Sequence, residues 1–109
     1  MTDKDYKILK ELQNILNSRK QEMPENSYVS LLFQKGDSEI NSKIIEEASE
    51  YIEAVNTKNK NHIIHEAADL WFHNLVSLTL NDIQVSDILE ELNRRFGVSG
   101  LEEKKSRDK

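Results

Sequence analysis

Apolar residues recur at three- and four-residue intervals along most of this chain and no stretch alternates with period two, so the pattern predicts helices and no strands. Ile8, Leu9, Leu12, Ile15 and Leu16 mark a first helix from about Asp3 to Arg19, ending before Pro24. Ser27 is placed to cap a short second helix over Tyr28 to Gln34, closed by Lys35-Gly36 because glycine accepts a left-handed C-terminal position. Ser38 is the expected cap of a third helix that runs to about Asn56. The connection Thr57 to Asn61 is short and hydrophilic, which makes the third helix and a fourth, from about His62 to Leu80, an antiparallel hairpin. Asn81-Asp82 breaks the pattern and Ser86 is expected to cap a last helix to about Phe96. Residues 97–109 read as a turn followed by a charged tail.

The two hairpin helices carry unusual faces. On the third, Ile40, Ile44, Ile45, Ala48, Tyr51, Ile52 and Val55 form one broad apolar arc. Lys43, Glu46, Glu47 and Glu50 crowd onto an adjoining arc of roughly 100°. Like charges at that spacing weaken a helix by a few tenths of a kcal/mol per pair, so something besides Lys43 is expected to compensate them. The fourth helix is apolar almost all round, with one polar stripe of roughly 60° holding His62, Glu66, Asp69 and His73. Such a helix belongs at the centre of a bundle, and after its first residues it has no lysine or arginine to neutralise its acids.

Side chains at i and i+3 lie one above the other, so Glu47/Glu50 and Glu66/Asp69 each form a pair pointing one way. Two antiparallel helices with axes roughly 8–10 Å apart bring such pairs together on a cation. Oxygen ligands suit Mg²⁺, with Mn²⁺ able to substitute. Two acids on one helix are ordinarily solvated surface; here four to five acids occupy two neighbouring helices, which favours a site. His62 and His65 read as surface, His73 as either an outer partner of a metal ligand or a satisfied core-edge histidine. Trp71 and Phe72 read as core or subunit-interface residues.

Composition narrows this further. In 109 residues there is room for one domain over 1–109 with a modest core, and three glycines and one proline favour long helices. The fold expected is all-α, a bundle of about five helices built around the antiparallel hairpin. The absence of cysteine removes disulfides, thiolate zinc sites and cysteine nucleophiles. A net charge of −5 argues against nucleic-acid or acidic-membrane binding, while divalent cations still allow an acidic site to hold polyphosphate. With no apolar leader or membrane span, the protein is expected in the cytoplasm. The apolar surface of the fourth helix exceeds what so short a chain covers, which predicts a homodimer, with a tetramer as the alternative.

The run EEASE (Glu46 to Glu50), fifteen residues, then EAAD (Glu66 to Asp69) resembles the E-x-x-E…E-x-x-D signature of the all-alpha nucleotide pyrophosphohydrolases. The segments NSYVSLLFQKG (Asn26 to Gly36), EAADLWFHNLV (Glu66 to Val76) and RRFGVSGLEEK (Arg94 to Lys104) resemble the phosphoribosyl-ATP pyrophosphohydrolase family in particular. The family's usual K-x-G-E-E stands here as Lys43-Ile44-Ile45-Glu46-Glu47, His73 matches its Y/F-H pair, and Asn74 and Phe96 depart from its pattern.

The resemblance implies a magnesium-dependent hydrolysis of phosphoribosyl-ATP to phosphoribosyl-AMP and pyrophosphate, the second step of histidine biosynthesis. It implies that Glu47, Glu50, Glu66 and Asp69 bind the metal, with Glu46 auxiliary, and that Glu47 or Glu50 aids proton removal from the attacking water. Lys43, Lys35, Arg94, Arg95, Lys104 and His73 are the expected substrate contacts, Lys43 foremost because it shares the arc of Glu46 and Glu50. The rival expectations are a superfamily enzyme that clears dNTPs with the same site, and a non-enzymatic helical dimer whose acids are only surface.

Overall fold

The computed structural model describes residues 3–97, and these form five α-helices with no strand among the described residues. They are α1 (Asp3–Glu22), α2 (Tyr28–Lys35), α3 (Asp37–Thr57), α4 (Lys60–Leu80) and α5 (Val85–Phe96). The all-α expectation holds. Of the expected C-terminal turn and tail only Gly97 falls within the described residues; the remainder, with Lys104, lies outside them.

Helix ends differ from expectation where tertiary partners intervene. Ser27 caps α2 as expected, its hydroxyl accepting from Ser30 N at 3.2 Å. Helix α3 starts at Asp37 rather than after Ser38, directly from Gly36. That residue has φ 84° and ψ −168°, a conformation essentially reserved for glycine, and so turns α2 into α3 with no linker. Helix α5 starts before Ser86, with Gln84 as the cap and its N–H donating to the Asp87 carboxylate at 2.9 Å. Asn17 on α1 selects that start by holding the Gln84 side chain at 2.8 Å.

The α3–α4 hairpin turns through left-handed Lys58 and an Asn59 cap on His62 N, and it is the spine of the molecule. Helix α1 packs across α4 and α2, α2 fills the angle between α1 and the hairpin, and α5 rests on α1. Leu16, Leu32, Phe33, Ile40, Leu75, Val76 and Val85 form the core. A polar clamp joins α1 to the α4–α5 turn. Gln13 donates to Thr79 Oγ1 at 2.9 Å and accepts from Val85 N at 2.7 Å, both buried. Lys20 donates to the Thr79 and Leu80 carbonyls, orphan acceptors at the end of α4, and to Asp82.

The helical wheels assign faces correctly but not which face is covered. On α3 Ile40 is buried, while Ile45, on the same predicted arc, is 71% exposed. On α4 the polar stripe turns inward, with Glu66 and His73 buried, whereas Trp71 is 66% exposed. About a third of a turn around α4 from that stripe, an apolar groove of 550 Å³ runs between Leu70, Trp71 and Leu78 of α4 and Val85, Ile88 and Leu92 of α5. Among the described residues no helix is long and apolar enough to cross a membrane.

Candidate active site

The inward stripe of α4 meets the acidic arc of α3 near the middle of the hairpin. Carboxylate oxygens of Glu47, Glu50 and Glu66 all lie within 4.8 Å of one another. Ligand atoms of Glu66, Asp69 and His65 form a second group of the same tightness, so Glu66 joins the two. The i, i+3 spacing on each helix creates the pairs, and the antiparallel packing of the hairpin converges them.

The electrostatics of this cluster are unrelieved. Burial first, then repulsion from Glu50 and from Asp69 and Glu66, pushes the Glu47 carboxyl up to about 7. Glu47 Oε2 and Glu66 Oε2 are buried with no hydrogen-bond partner. The nearest cationic partners of the α4 acids are the histidines His62, 3.6 Å from Glu66, and His65, 3.4 Å from Asp69. Orphaned, buried carboxylate oxygens aimed at other carboxylates fit a hard divalent cation that would satisfy them all.

The remaining expected residues are distributed unevenly. Glu46 is exposed and pairs with Lys43 at 3.4 Å, outside both carboxylate groups. That carboxylate holds the Lys43 ammonium above its ordinary pKa, beside the face that carries Glu47. Lys35 is exposed at the end of α2. Arg94 and Arg95 both bind Glu91 on their own helix, and the two guanidinium groups hold its carboxyl down to about 2. Helix α5 supplies no residue to the carboxylate groups. His73 is buried with both ring nitrogens engaged, Nε2 with the Tyr28 hydroxyl and Nδ1 with the Asp69 carbonyl, each at 2.8 Å.

Tyr28 had no residue-level signal in the sequence, because it opens a short helix 45 positions from the histidine it contacts. Its hydroxyl lies where the charges of Lys43, Glu47 and Glu46 all act on it.

With this geometry in hand, the matches to known proteins are specific. The family model described as phosphoribosyl-ATP pyrophosphohydrolase matches residues 9–96, from α1 to the end of α5 and including the whole carboxylate cluster. The chain belongs to the phosphoribosyl-ATP pyrophosphohydrolase family. Among curated relatives, the phosphoribosyl-ATP pyrophosphatase of Neisseria meningitidis serogroup C is 45% identical over 100 residues, covering 92% of this chain and 94% of the relative. The phosphoribosyl-ATP pyrophosphatase of Vesicomyosocius okutanii is 50% identical over 101 residues, covering 93% and 96%. That of Aromatoleum aromaticum is 47% identical over 103 residues, covering 94% and 95%. Family membership therefore extends over the full helical core rather than over the acidic motif alone.

Proposed function

We infer that this protein hydrolyses phosphoribosyl-ATP to phosphoribosyl-AMP and pyrophosphate, a step of histidine biosynthesis, at a divalent-cation site formed by Glu47, Glu50, Glu66 and Asp69. The observation that carries the site is the convergence of these carboxylates with two buried oxygens left unpartnered. Substrate and pathway follow from family membership.

Mg²⁺ bound here would supply charge neutralisation for the polyphosphate and acidify water for attack at the α–β phosphoanhydride. The carboxylates' part is to hold cation and triphosphate in line on a preformed helical frame. Glu47, with its carboxyl near 7 in the metal-free protein, is the better placed of Glu47 and Glu50 to take a proton near neutral pH. Glu46 holds Lys43 beside this face, where the ammonium is set to meet an outer phosphate. Arg94 and Arg95 stand on a different helix, so a role for them in substrate binding would run through a second copy of the chain.

A homodimer is part of the same reading. Ile45, Ile52, Ile64 and Trp71 are exposed on the two hairpin helices, and the apolar groove beside α5 continues that surface. We place the enzyme in the cytoplasm, where its nucleotide substrate is made.

The test is pyrophosphate release by purified protein from phosphoribosyl-ATP and from the common dNTPs, with Mg²⁺ and with chelator. Preferential, Mg²⁺-dependent turnover of phosphoribosyl-ATP is expected. A preference for a dNTP would overturn the substrate, and undiminished turnover in chelator would overturn the metal site.

A further inference from the structure

We propose that Tyr28 is a positioning residue for the carboxylate site: its hydroxyl donates to His73 and thereby selects the ring tautomer that ties the imidazole to the Asp69 turn. This rests on the reading of Glu47, Glu50, Glu66 and Asp69 as the metal site. The direction of the bonds follows from elementary chemistry. A backbone carbonyl only accepts, so the 2.8 Å contact to the Asp69 oxygen requires the proton on His73 Nδ1. In the neutral ring Nε2 is then an acceptor, and the Tyr28 hydroxyl at 2.8 Å must donate to it.

The ring has little freedom to do otherwise. His73 is 6% exposed and packs edge-on against both Tyr28 and Phe72, with ring centroids 5.8 and 5.3 Å away. Burial raises the Tyr28 pKa, which keeps the hydroxyl protonated and available as the donor. The Asp69 carbonyl thus takes the imidazole N–H in addition to its helical bond, on the turn of α4 that presents Glu66 and Asp69 to α3. Ser27 and Gly36 set the two ends of α2, and so fix where the hydroxyl stands. Removing the hydroxyl would leave a buried ring nitrogen without a partner and let the two tautomers compete, loosening the turn that carries the ligands.

Tyr28→Phe deletes one atom and keeps the ring contact. In ¹⁵N-edited spectra of the unaltered, metal-free protein, His73 is expected as the Nδ1–H tautomer, and in Tyr28→Phe as a mixture. Direct Mn²⁺ titration should show affinity weakened about three- to tenfold, the lower part of the range for outer partners of metal ligands. At saturating Mn²⁺ the KM for substrate should stay unchanged. Because Tyr28 acts through His73, adding Tyr28→Phe to His73→Phe should weaken Mn²⁺ binding no further than His73→Phe alone. An Nε2–H tautomer in the unaltered protein would overturn the proposal without any variant. Equal Mn²⁺ affinity of the unaltered protein and Tyr28→Phe would also overturn it, as would a full Tyr28→Phe effect on the His73→Phe background. Absence of Mn²⁺ binding by the unaltered protein would instead overturn the metal-site reading, while the tautomer still decides the Tyr28–His73 bond.

Discussion

Replacing Glu66 by glutamine should make the metal-free protein more stable and the enzyme inactive. Glu66 is 8% exposed, and its Oε2 has no partner. Two full charges 4.8 Å apart, the outer limit of its separation from Glu47 and Glu50, repel by about 1 kcal/mol in water-like surroundings and about 3.5 kcal/mol at the effective dielectric of a protein. Solvent screening at this half-open site argues for the lower part of that span, a gain of about 1–2 kcal/mol in Glu66→Gln. The glutamine amide also gains the ability to donate to Glu47 Oε2. For a domain of this size the gain corresponds to a Tm rise of about 4–8 °C per kcal/mol.

The pH dependence has a definite sign. Glu47 titrates near 7 in the folded protein against an ordinary 4.5, so folding strengthens its hold on the proton. The stability this gives is complete below about pH 4.5 and is lost as pH rises through about 7. The advantage of Glu66→Gln should therefore be largest at pH 8 and shrink toward pH 5. Mg²⁺ should reverse the order, since a cation at a hundred times its Kd would stabilise the unaltered protein by about 2.7 kcal/mol and the variant far less. Thermal unfolding at pH 5 and pH 8, with chelator and with Mg²⁺, measures all four quantities. A lower Tm for Glu66→Gln in chelator at pH 8, or an Mg²⁺ shift and hydrolysis equal to those of the unaltered protein, would refute the reasoning.

Asp69→Asn should keep the helical fold and lose more than about 100-fold in Mg²⁺-dependent pyrophosphate release, the lower end of the cost of one transition-state electrostatic partner; circular dichroism and the assay check both halves. Lys20→Ala strips the C-terminal carbonyls of α4 of their cationic donor and should cost about 1–2 kcal/mol in urea unfolding, with kcat unchanged. Gly36→Ala places a β-carbon at φ 84° with open space around it, so backbone strain alone should destabilise the protein by about 1–3 kcal/mol, read as a fall in Tm. Trp71→Glu puts a charge on the exposed apolar face of α4, and sedimentation should show the dimer falling to monomer without loss of helix content.

Much of the molecule was legible without coordinates. Local periodicity determined five helices, and the short link after Asn56 determined an antiparallel hairpin, because helix faces and loop lengths are properties of neighbouring residues. The i, i+3 carboxylate pairs were equally local, and the motif segments carried the family. Tertiary structure decided what the wheels leave open, namely which face of each helix is covered. Glu66 and His73 turned inward while Trp71 and Ile45 stayed outside, because the position of the neighbouring helix, not the hydrophobicity of a residue, sets its burial. It also decided the contacts across long stretches of chain. Gln13 reaches Thr79 and Val85, Asn17 draws the start of α5 back to Gln84, and Tyr28 meets His73, pairings that no periodicity encodes because each depends on two helices packing in one register.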